Sequence, residues 1–132
     1  MIASQVHIIV RSRTMLDLIM NLPDDYRKID DEVAVSGQIT PEQVADIKAA
    51  GYKSIICNRP DGESADQPNF ELIEAAANEA GLAIRYIPVT KMGMTPENIE
   101  DTRTALDDLE RPIYAYCRSG ARSTNLYGIA KG

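Results

Sequence analysis

A chain of 132 residues, 44% hydrophobic and 26% charged, is long enough for one domain with a single core and has an ordinary globular composition. Its formal net charge of −6 and the absence of a basic stripe exclude nucleic acid as a partner, and no apolar run nears the ~18 residues of a membrane span. Two cysteines are too few for a disulfide framework, so a reducing cytoplasm is the expected setting.

Residues 1–25 read as an N-terminal extension. The apolar patch Val6, Ile8, Ile9, Val10 is broken by Arg11 and Arg13 and lacks the longer apolar region and cleavage site of a secretory signal. Met15 to Met20 reads either as one amphipathic turn or as upstream sequence. From residue 26 onward the pattern is regular. Val33-Ala34-Val35-Ser36 predicts a short strand, with a turn at Gly37. Thr40-Pro41-Glu42-Gln43 then predicts a helix start, with Thr40 as N-cap, Pro41 in the first turn and Gln43 in the capping-box place. Ser54-Ile55-Ile56-Cys57 reads as a buried strand running into the polar loop Asn58-Arg59-Pro60-Asp61-Gly62-Glu63.

A second helix is expected over 69–80, stopped by Gly81, and a third strand over 82–89. After the loop 90–94, Thr95-Pro96-Glu97 repeats the helix-start chemistry, and Ile99, Thr102, Leu106 and Leu109 recur at helical spacing. Pro112 to Tyr116 is the last apolar strand, with Cys117 directly after it and a short helix over 123–131. Strands alternating with helices imply a three-layer α/β/α domain over 26–132 with a mainly parallel sheet. Ligands bind such sheets beyond the carboxyl ends of the strands, where Cys117 and the loops 59–63 and 90–94 converge.

A free cysteine is most often a small buried hydrophobe, and Cys57 at a strand end reads that way. Cys117 is followed by Arg118-Ser119-Gly120-Ala121-Arg122-Ser123, which reverses that expectation. Small residues let successive backbone N–H groups face the thiol, and a helix start adds positive potential. Two arginines within five residues then suit a bound anion. Cys117 is therefore the candidate nucleophile, Arg122 its partner, and Arg118, Ser119, Gly120, Ala121 and Ser123 the candidate anion cradle. Arg59 is a candidate substrate contact. Asp61 is either a turn residue, a proton donor or the orienter of Arg122. No metal or cofactor is called for.

Cys-Arg-Ser-Gly-Ala-Arg-Ser resembles the active loop of rhodanese-type sulfurtransferases. Together with Asn58 to Glu63, Val35 to Ile39 and Tyr86 to Val89, it also resembles the phosphatase-like domain of the beta-lactamase-hydrolase-like proteins, over about residues 26–130. That resemblance implies a tyrosine-phosphatase-like fold. It further implies that some relatives are fused to a metallo-hydrolase or persulfide dioxygenase domain; such a partner is expected here in trans.

Two chemistries compete. The tyrosine and dual-specificity phosphatases place five residues between cysteine and arginine, a histidine before the cysteine and an aspartic acid on the loop after the third strand. This chain has four residues, Tyr116, and Thr90-Lys91-Met92-Gly93-Met94. These departures favour a sulfurtransferase that carries sulfane sulfur as a Cys117 persulfide, taken from a small anionic donor such as thiosulfate or a persulfide. The alternative is a phosphoester hydrolase using Cys117 and Arg122. A third reading keeps the anion cradle without turnover, as a pseudoenzyme.

Overall fold

Five strands form one sheet in the computed structural model, which describes residues 21–132. A two-residue β1 (Arg27–Lys28) pairs antiparallel with β2 (Val33–Ser36). Then β2, β5 (Ile113–Tyr116), β3 (Ser54–Cys57) and β4 (Ala83–Tyr86) lie mutually parallel, in the order β1-β2-β5-β3-β4. Parallel neighbours require crossovers, and helices supply them: α1 (Pro41–Ala49), α2 (Phe70–Ala80) and α3 (Pro96–Asp108), with α4 (Ala121–Ala130) following the last strand.

The three layers are those expected from the strand–helix alternation. On one face Val44, Ile47, Ile73 and Ala77 of α1 and α2 cover Ala34, Ile55, Tyr114 and Tyr116. On the other, Ala105 and Leu106 of α3 with Leu126, Tyr127 and Ala130 of α4 cover Val33, Val35, Ile56, Ile113 and Ala115. The central strands β2, β3 and β5 are buried at every position, as strands covered on both faces must be.

Both Thr-Pro-Glu helix starts close as capping boxes. Thr40 accepts from Gln43 N at 3.2 Å while Gln43 Oε1 accepts from Thr40 N at 2.9 Å, and Thr95 with Asn98 repeats the exchange at 3.1 and 2.9 Å. Gly81 stops α2 in the left-handed region, at φ 79°.

Three details differ from the pattern reading. β1 has a charged Arg-Lys sequence without alternation and carries no strand signal. The ladder of β4 ends at Tyr86, earlier than residue 89. Beyond it Ile87 and Val89 still donate to Cys57 O and Asn58 O at 2.9 Å, so the segment stays beside the exit of β3. The expected boundary at residue 25 is crossed by the core: Leu22 is buried, and Asp25 Oδ1 accepts the Gly37 N–H at 2.9 Å. The readings at Val6–Val10 and Met15–Met20 lie outside the described residues.

Under the site, Tyr114 Oη donates to Ser36 Oγ at 2.7 Å, and Ser36 Oγ donates to Gly37 O at 2.8 Å, all within the core. Tyr114→Phe strips Ser36 of its buried donor. It is expected to cost about 1 kcal/mol, read as a lowered urea midpoint at unchanged m-value.

Candidate active site

The loops after all four parallel strands meet at one edge of the sheet. Cys117 leaves β5 fully buried, with its N–H donating to Ser36 O at 3.2 Å. Strand alternation turns it to the α3/α4 face, opposite Tyr116 and Cys57 on the α1/α2 face. Cys57 is thus a core thiol, pushed up to about 11 chiefly by burial, and its Sγ donates to Arg59 O at 3.3 Å. Tyr116, in the place where a phosphatase histidine is usual, is buried beside Cys57 and does not face the loop.

Burial alone would raise the Cys117 thiol. The N–H groups of Ser123, Ser119 and Gly120 and the Ser123 hydroxyl outweigh that and hold it below the ordinary thiol range. The Gly120 N–H lies 3.1 Å from Sγ. Ser123 is buried, and its hydroxyl forms no hydrogen bond of good geometry, to the sulfur or to any other described atom.

In a trans peptide the C=O points opposite to the N–H, so a loop whose amides face the sulfur presents its carbonyls to the outside. Arg27, which the sequence reading did not single out, meets one of them: its Nη1 donates to Ser119 O at 3.3 Å and to Asp25 O at 2.9 Å. The Arg118 carbonyl backs onto Gly37. A Cβ there would lie 2.6 Å from that oxygen and 2.7 Å from Asp25 Oδ2, which is why the turn after β2 carries glycine. Gly120, at φ 89°, turns the chain straight into α4, two residues earlier than the expected start.

Arg122 sits in the first turn of α4 and is clamped by Glu63. Nη1 donates to Glu63 Oε2 at 2.7 Å, Nη2 to Oε1 at 2.8 Å, and Nη1 also to Val89 O at 2.6 Å. Arg59, buried, donates from Nε to Glu63 Oε1 at 3.1 Å and from Nη1 to Gln38 Oε1 at 3.1 Å. The Arg122 hydrogen bonds, only partly offset by burial and reinforced by Arg59, pull the Glu63 carboxyl down to about 2.

A guanidinium has five donors. Glu63 takes the end of the fork and Val89 the outer Nη1 hydrogen. Among the described residues the side edge, Nε–H with one Nη2–H, is left unengaged, and that edge matches two oxygens of one anion.

The orienter of Arg122 is therefore Glu63, not Asp61 as the sequence reading allowed. Asp61 Oδ1 accepts the Phe70 N–H at 2.7 Å and closes the first turn of α2, whose own N-cap Asn69 makes no side-chain bond. Asp61 N–H in turn donates to Tyr86 Oη at 3.0 Å. Arg118, Ser119 and Ala121 are exposed at the loop rim, and Ser119 Oγ accepts loosely from Ala121 N at 3.4 Å. The structure thus joins Cys117, the cradle, Arg122 and Arg59, and sets Asp61 apart on α2. A carboxylate four residues after Arg59 was the only signal for Glu63. Asp25, Arg27 and Gln38 carried none.

A buried cysteine in a cradle of amides, flanked by an arginine at the head of a parallel α/β sheet, is the arrangement of a phosphatase-like domain. The comparisons place the chain within that class: residues 25–132 match the model of the beta-lactamase hydrolase-like protein, phosphatase-like domain, and the chain belongs to that family. The beta-lactamase hydrolase-like protein of Xylella fastidiosa is 35% identical over 103 residues, 78% of this chain and 24% of that protein. The chain thus spans about a quarter of the length of this relative.

A candidate phosphatase from Neisseria meningitidis is similar in structure, with a TM-score of 0.70 and 36% identity over 76% of this chain and 72% of that one. The core catalytic domain of the PP-IP phosphatase SIW14 from S. cerevisiae shares the fold at 15% identity, with a TM-score of 0.62 over 81% and 64% of the two chains. The family model and the Neisseria relative are both described as phosphatases or phosphatase-like, which shifts the weight from sulfur transfer to the phosphoester alternative.

Two outcomes follow from the geometry. Ser123→Ala is expected to raise the midpoint of the pH dependence of Cys117 alkylation by iodoacetamide, since the thiolate loses a stabilising hydroxyl. The Glu63 carboxyl lies below its ordinary value near 4.5 when folded, so its stabilisation is fully present above pH 4.5 and is lost as pH falls toward 2. Glu63→Gln is expected to lower the urea midpoint at pH 7 and to flatten the loss of stability between pH 5 and 2.

Proposed function

We propose that this domain hydrolyses phosphoesters through a Cys117 thiophosphate intermediate. The observation that carries the reading is Arg122, held in the first turn of the helix after Cys117 with its side edge unengaged among the described residues, next to a thiol that lies in an amide cradle. A terminal persulfide sulfur is one anionic atom and is served by N–H groups alone. A transferring phosphoryl group has three equatorial oxygens, which a planar guanidinium and several amides stabilise together.

In the first step the Cys117 thiolate attacks phosphorus. The S–P bond forms, the P–O bond to the leaving group breaks, and the electron pair departs with that oxygen. Amides of Ser119 to Arg122 and the Arg122 edge hold the phosphoryl oxygens. In the second step water attacks phosphorus, the P–S bond breaks, and dihydrogen phosphate and the thiolate are released. Glu63 holds Arg122 in place throughout, and Arg59 holds Glu63.

Sulfur transfer uses the same thiolate but draws on neither the Arg122 edge nor its clamp. The site asks for no persulfide dioxygenase partner. The phosphoester itself is the substrate, and its anionic end suits the cationic side chains of Arg118 and Lys91 at the rim.

With p-nitrophenyl phosphate, phosphate release is expected from the wild type and none from Cys117→Ser. Arg122→Lys, which keeps the charge but loses the fork, is expected to lower kcat/KM by about 10²-fold or more. In parallel, intact mass after incubation with thiosulfate is expected to show no added sulfur. A stable sulfur adduct on Cys117 without phosphate release would return the site to sulfur transfer.

A further inference from the structure

We infer that the substrates of this site are phosphoryl donors whose leaving group departs unprotonated, as a stable anion: phosphoanhydrides, acyl phosphates or electron-poor aryl phosphates, and not alkyl phosphomonoesters. The inference rests on the phosphoester reading above and concerns the atom on the far side of phosphorus from Cys117. An alkoxide leaves at a useful rate only if a positioned acid protonates it, and that assistance is worth roughly 10²–10⁴-fold.

Among the described residues, the carboxyls nearest this edge are bonded elsewhere or lie open to solvent. The loop after β2, Gly37 to Thr40, has none, nor does the cysteine loop, nor the loop Thr90 to Met94 where the phosphatase acid is expected. The loop after β3 supplies three. Both oxygens of Glu63 are bonded to arginines, and it stays ionised far below neutral pH. Asp61 caps α2, and its charge bears on Cys57 and Tyr116, which face away from Cys117. Asp66 is exposed and accepts from Ser64 Oγ at 2.8 Å.

Asp25 is held through Oδ1 by the N–H of Gly37, the residue that the Arg118 carbonyl backs onto. Glu97 is exposed in the first turn of α3, where it complements the helix dipole.

Cations stand in place of an acid. Lys91 is in the turn after Val89, whose carbonyl accepts from Arg122, and that turn is fixed by the Thr90–Gly93 bridge and the Met92 N–H to Thr90 Oγ1 bond at 3.2 Å. Arg118 is exposed at the cradle. Neither makes an ion pair among the described residues. An ammonium or guanidinium is a far weaker acid than a carboxylic acid, so these cations stabilise a departing anion and give less help to an alkoxide.

The test is kcat/KM for phosphate release from 2,4-dinitrophenyl, p-nitrophenyl and phenyl phosphate, with acetyl phosphate, inorganic pyrophosphate and glycerol phosphate alongside. The expected result is a steep fall, about tenfold per unit of leaving-group pKa along the aryl series, with glycerol phosphate inert. The acetyl phosphate and pyrophosphate arms show which anionic leaving group is preferred. Asp61→Asn is expected to leave the slope unchanged.

Glycerol phosphate or phenyl phosphate cleaved on a par with p-nitrophenyl phosphate overturns this inference alone. So does an Asp61→Asn variant that slows phenyl phosphate while sparing dinitrophenyl phosphate. Absence of phosphate release from every donor overturns the phosphoester reading and this inference with it.

Discussion

The site is built around one carboxylate shared by two arginines. Glu63 binds Arg122 from the helix after β5 and Arg59 from the loop after β3, and through them Gln38 and the Val89 carbonyl. Four loops that enter from different strands are thereby held in one arrangement. With side chains of Arg59 and Glu63 only 7% and 9% exposed, the charges are largely out of water, and removing one leaves its partners uncompensated. The triad is also unbalanced by design of charge. Two cations against one anion leave a net positive charge at the place where Arg122 offers its free edge.

That clamp matters because the cysteine loop has only four residues before its arginine. A short loop cannot fold around an anion by itself, and here it is shaped from outside. Arg27 fastens the Ser119 carbonyl, and Gly37, held by Asp25, admits the Arg118 carbonyl where no side chain fits. With the carbonyls held outward, the amides have no choice but to face the sulfur. The depressed thiol then follows chiefly from backbone geometry and the Ser123 hydroxyl, with the Arg122 charge nearby.

Most of the scaffold was legible because its signals are local. Thr40 and Gln43, or Thr95 and Asn98, state a helix start within four residues. Ile55 and Ile56, or Ile113 to Tyr116, state buried strands by composition. Cys117 to Ser123 states an anion loop by small residues and charge. The parts that escaped are contacts between distant segments. Glu63 meets Arg122 across 59 positions and Arg27 meets Ser119 across 92, and nothing local in either partner announces the other. Asp61 was the more conspicuous acid because Pro60 and Gly62 mark it as a turn residue. That turn delivers it to α2, and the less marked Glu63 to the arginines.

The same distinction explains why loop spacing and an absent acid pointed toward sulfur. Both features were weighed against a phosphatase that must expel an alkoxide. Spacing limits how far the loop encircles phosphate, and on the proposed reading Arg122, oriented by Glu63, supplies from the helix the contact that a longer loop would make. The missing acid limits only the basicity of the leaving group. In a chain of net charge −6, the cationic side chains of Arg59, Arg118, Arg122 and Lys91 gather at one sheet edge. A local positive field of that kind draws in an anionic donor and stabilises an anionic product, and its reach is set by the Debye length of about 8 Å at physiological salt. On the proposed phosphoester reading, selectivity for the leaving anion comes from the field at this edge, where a conventional phosphatase relies on one proton.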